Sequence, residues 1–128
     1  MGALTSFMAM QQYFDITQQL FQCRVKNDDE SRRKEQQLMA METQMFNALV
    51  ESENAISLRS WCDTYKDFDV KCLQKEIRKI VELKLQMQRE NVSEQQLALL
   101  LPKLVALSHY CVLYVDRDML LEDLQESI

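Results

Sequence analysis

Glycine and proline are almost missing from this sequence, with one of each, Gly2 and Pro102, in 128 residues. Tight β-turns draw on Gly, Pro and Asn-Gly pairs, so the scarcity argues against a multi-stranded sheet. It also excludes Gly-rich phosphate loops and dinucleotide-binding turns, whose glycines do not exist here. The four cysteines, Cys23, Cys62, Cys72 and Cys111, include no C-x-x-C pair, and the single histidine, His109, lies far along the chain from three of them. Zinc-ligand spacing is therefore missing as well, and no cofactor is expected. The opening residues carry no basic leader, and Gln11, Gln12 and Asp15 interrupt their apolar character. The expectation is an intracellular protein, cytoplasmic or nuclear, with four reduced thiols acting as small apolar fillers.

What is present is helix-forming. Hydrophobic residues make up 47% of the chain and charged residues 27%, with a formal net charge of −5. That balance suits one packed domain over residues 1–128. Four helical segments are expected, over about 3–26, 29–57, 58–90 and 94–127. In the first, Phe7, Phe14 and Phe21 recur every seventh residue, as in a coiled-coil seam. Tyr13 and Leu20 widen the stripe. Asn27 or Asp28 is placed to cap the second segment. There Leu38, Met41, Met45 and Leu49 step by three and four residues.

In the third segment Leu58, Trp61, Tyr65, Phe68 and Cys72 form a strict heptad stripe. The phase then slips by one to Leu73, Ile77 and Ile80, as at a bend. Whether segments two and three make one long helix or a hairpin is left open, with 52–57 as the candidate break. Asn91 suits a helix end, and Ser93 with Gln96 reads as a capping box. The run from Leu97 to Val115 is apolar nearly all round. Such a helix is buried by neighbours or lies in a membrane. Lys103 near its middle favours burial. Pro102 predicts a kink, or a helix that begins there. The expected architecture is all-α: a four-helix antiparallel bundle with coiled-coil character, or else extended helical hairpins completed by a partner.

Several residue groups invite a functional reading. Met1 to Ser6 matches the N-myristoylation pattern, which would lipidate Gly2. Without a polybasic cluster, one acyl chain holds a membrane only marginally. Lys71, Lys75, Arg78 and Lys79 make a basic helix face. Interleaved acids and the negative total charge argue against nucleic acid, and favour a solvated or partner-facing surface. His109 invites a general-base or enzyme reading, but no nucleophile, carboxylate or metal set can be assigned around it. The leading expectation is a non-catalytic helical adaptor or structural subunit, meeting a protein partner or itself through Phe7, Phe14, Phe21, Leu38, Met41 and Met45. A membrane-associated adaptor acylated at Gly2 is the alternative, and a small bundle enzyme around His109 is the third.

Overall fold

The computed structural model describes residues 2–52, 55–91 and 93–126, with side chains for 8–52, 55–91, 93 and 95–122. The protein is all-α. Among the described residues it forms six helices and no strand: α1 (Gly2–Lys26), α2 (Asp29–Glu51), α3 (Ile56–Tyr65), α4 (Val70–Arg89), α5 (Glu94–Tyr114) and α6 (Arg117–Glu126). The expected second segment ends early, at Glu51, so segments two and three are not one long helix. The third and fourth expected segments are each divided.

Aspartate, rather than glycine or proline, caps the starts of α2, α4 and α6, whereas α3 starts after Ala55 without a side-chain cap. Asp28, Asp69 and Asp116 each accept the backbone N–H three residues ahead, from Ser31, Cys72 and Met119 at 2.7, 2.8 and 3.0 Å. Each thereby satisfies one of the orphan donors that open a helix. α1 and α4 end in Asn27 and Asn91, both left-handed with φ of 56° and 54°. Asparagine tolerates that region better than most residues. At Ser93 the capping box does not form: the side chain makes no cap bond, and only the Ser93 carbonyl accepts from Gln96 N–H. α5 runs on through Pro102 rather than starting there.

The break at 66–69 divides the heptad stripe. Tyr65 is buried at the end of α3, Trp61 stacks on it at 5.7 Å, and Phe68 meets it edge-on at 5.1 Å from the connecting turn. Cys72 belongs to the next helix and is exposed. The phase slip in the sequence is thus the trace of a helix break a few residues earlier, not of a bend in one rod.

α1 and α2 pack as an antiparallel pair, since Tyr13 meets Glu42 while Arg24 meets Glu35. α5 is the central element, touching α1, α2, α3 and α4. Its Leu101, Leu104, Val105, Ala106 and Leu107 are fully or almost fully buried. α5 is also long and apolar enough to cross a membrane, which its covering by four helices explains as a core helix. α4 lies antiparallel to α5 and contributes Leu73 and Ile80 to the main core. A smaller cluster of Leu20, Cys23, Leu38 and Val112 joins α1, α2 and α5.

Candidate functional site

Two features stand out from the packed core. One is a polar node, and the other is a groove.

The node is built from three helices. Tyr13 of α1 donates its hydroxyl to Glu42 Oε2 at 2.5 Å, and His109 Nδ1 of α5 meets the same oxygen at 2.7 Å. Phe46, one turn beyond Glu42 on α2, stacks flat on the imidazole at 3.6 Å. Glu42 is 1% exposed and Tyr13 fully buried. Burial, followed by the adjoining Glu42, pushes the Tyr13 phenol far above its ordinary pKa, so it remains a donor. A buried carboxyl group is tolerable only when it is hydrogen-bonded, and here the Tyr13 hydroxyl and His109 Nδ1 both meet one of its oxygens.

This corrects the reading of α2. The buried row is Leu38, Glu42, Met45 and Leu49, with Met45 half-buried, while Met41 is exposed. It also supplies the carboxylate that no sequence pattern placed near His109. The available signal was an acid standing at the helical spacing of its apolar neighbours. The groove described next includes no residue of this node. Its geometry locks the register of α1, α2 and α5. A second tie runs alongside, in which Arg24 Nε meets Glu35 at 2.6 Å and Arg24 Nη1 donates to the Val115 carbonyl at 3.0 Å.

The groove follows from how α1 and α4 are held. Both pack on α5, but they stand apart from each other and leave a trough of about 560 Å³ between them. Phe21 and Val25 form one wall, Ile77 and Val81 the other, Cys111 and Val115 the floor. Leu120 of α6 lines one end, where Gln74 Nε2 donates to the Met119 carbonyl at 3.3 Å. At the opposite end α1 and α4 converge, with Lys84 Nζ lying 4.2 Å over the Phe14 ring. Burial lowers the Lys84 pKa, and Asp15 partly offsets that. The trough has the size of a ligand or side-chain pocket.

Of the residues expected to make contacts, Phe21 lines the groove, and Phe14 is buried beneath Lys84 beyond its closed end. Leu38 is inside the smaller core cluster, Met45 packs on the main core, and Met41 is on the outer surface. The Phe7 side chain lies outside the described residues, and Gly2 is the first residue of α1. Val81, Val115 and Leu120 were missed because they belong to α4, the cap after α5 and α6, and no linear pattern joins them.

The four cysteines are free. Burial raises the Cys62 thiol, and the Asp69 side chain raises that of Cys72, so both are held toward the neutral form. Among the described residues no three His, Cys, Asp or Glu side chains gather as a metal-binding group. No family model matches the chain, and no curated protein or solved structure matches it.

Proposed function

We propose that this protein is a non-catalytic helical adaptor that receives a partner's helix in the trough between α1 and α4. The observation that carries the reading is the trough itself. Two helix walls and a helix floor present Phe21, Val25, Ile77, Val81 and Val115 to one open space. Helix-in-groove recognition needs such a three-sided apolar seat for anchors at i, i+3 or i+4, and i+7. A docked helix would complete a local four-helix bundle with α1, α4 and α5, which is the packing that the heptad spacing of the phenylalanines favours. Covering the half-exposed aliphatic walls contributes roughly 1 kcal/mol per side chain, enough for a reversible complex once ordering costs are met.

The test is affinity capture from cell extract with the parent chain, Val81→Asp and Val81→Ile, each checked for helical content by circular dichroism. Val81 is half-buried at the groove wall, so Asp charges the seat without opening the main core. The reading expects proteins held by the parent and by Val81→Ile to be lost with Val81→Asp. The same set captured by all three variants would overturn it.

A further inference from the structure

The groove has an uneven rim. On the α1 side the polar lining residues are Gln18, Gln22 and, toward the α6 end, Lys26. On the α4 side they are Gln74, Arg78 and Glu82. Lys75 and Lys71 precede Arg78 by three and seven residues, so the same helical row carries both along that rim, and both are exposed. The α4 edge therefore carries Lys71 and Lys75 in the same row as Arg78 and Glu82 of the lining. This concentrates positive charge on an acidic protein. The helix already seated at the groove's end has the opposite character. α6 holds four acids and one cation in ten residues, and it places Leu120 against the apolar lining.

Resting on the proposed adaptor role, we infer that the groove selects an acidic amphipathic helix from a separate protein, its apolar face on Phe21, Val25, Ile77 and Val81 and its acidic flank along Lys71 and Lys75. The wall residues span nine positions on each of α1 and α4, about 12 Å of helix at 1.5 Å per residue. The seated part of the partner is thus about ten residues long, with two or three apolar anchors. Charge along the rim steers encounter and sets the partner's orientation, while the apolar floor supplies most of the affinity.

The probe is a pair of stapled synthetic helices sharing one leucine face, one flanked by Glu and the other by Lys. Binding to the full chain is read by fluorescence anisotropy at low and high salt. The Glu-flanked helix is expected to bind tighter by about tenfold, and high salt should shrink that preference. Lys71→Glu with Lys75→Glu should remove or invert it, and both exposed positions leave the core untouched. Val81→Asp should abolish binding of both helices. Equal binding of the two helices, lost with Val81→Asp, would overturn the acidic preference and leave the adaptor reading standing. Binding of neither, or binding indifferent to Val81→Asp, would overturn both. Light scattering that finds a dimer dissociated by Val81→Asp would overturn the separate partner in favour of a second copy.

Discussion

Removing the Glu42 carboxyl group should cost more stability than any surface change, because the buried Tyr13 hydroxyl and the half-buried His109 imidazole both meet one of its oxygens. In Glu42→Ala the Tyr13 hydroxyl and His109 Nδ1 both lose their acceptor. An orphaned buried polar group costs about 1–3 kcal/mol. We expect a loss near the top of that range. That is a large fraction of the roughly 5–15 kcal/mol available to a domain. Glu42→Gln is the informative control. Its amide carbonyl, standing where Oε2 does, can still accept from the Tyr13 hydroxyl and from an Nδ1–H of His109, so the loss should be about 1 kcal/mol. Tyr13→Phe removes one donor and leaves His109 in place, and should fall between the two. Urea unfolding at pH 7, followed by circular dichroism, gives all three values. A Glu42→Ala loss below about 1 kcal/mol, with cooperative unfolding retained, would refute the argument that this node holds α1, α2 and α5 in register.

Other consequences follow from single groups. Ser108 is fully buried and its hydroxyl has no partner among the described residues, so Ser108→Ala should raise stability by about 1 kcal/mol, and a loss in urea unfolding would contradict that. Lys84 titrates below its ordinary 10.5 because it is buried. Its charged form therefore opposes folding below the folded-state pKa, and stability rises as pH climbs through that value towards 10.5. Lys84→Met, which keeps the stem over Phe14, should show a higher melting temperature at pH 7, with the advantage shrinking at alkaline pH. The Asp69 carboxyl is held below its ordinary 3.8, chiefly by the Cys72 backbone N–H and then by the Cys72 side chain. Its contribution is complete above that ordinary value and is lost as pH falls through the folded-state value. Asp69→Ala should accordingly melt earlier than the parent at pH 7 and with it in strong acid, and an equal deficit at both pH values would show that the cap is not electrostatic.

The all-α class was legible from the near-absence of Gly and Pro, and the central place of α5 from its nearly continuous apolar run. Asn27, Asp28 and Asn91 were also readable as helix ends. The number of helices was not. The divisions at 66–69 and 115–116 carry neither Gly nor Pro, and the signal that marks them is an aspartate three residues before the amide it accepts. That pattern is common on exposed helix faces, so the aspartate alone does not identify a cap. Glu42 was illegible for a related reason. Periodicity counts apolar residues, so the narrow row through Met41 scored better than the true row through Glu42. What makes Glu42 a core residue is Tyr13, 29 positions away, and His109, 67 positions away. The groove was hidden in the same manner, because its lining comes from four helices and none of them shows by itself which apolar positions will find no neighbour.

The gap between α1 and α4 also has a physical cause. Each wall is committed elsewhere. α1 is drawn to α2 and α5 by the Tyr13–Glu42–His109 node and by Arg24, which reaches both Glu35 and the Val115 carbonyl. α4 is tied to α5 through its apolar face, and Gln74 holds α6 across the groove's end. At the opposite end a lysine lies over a phenylalanine where two aliphatic side chains would pack closer, so the walls meet there around a charged head and its need for solvent. Closing the trough would mean giving up the buried contacts at one of these ties, and each is worth more than the half-exposed valines and isoleucine it would cover. Among the described residues the apolar walls are therefore held apart by the rest of the fold. Under the proposed adaptor role, a trough held open in this way would spare a docking helix the cost of opening it.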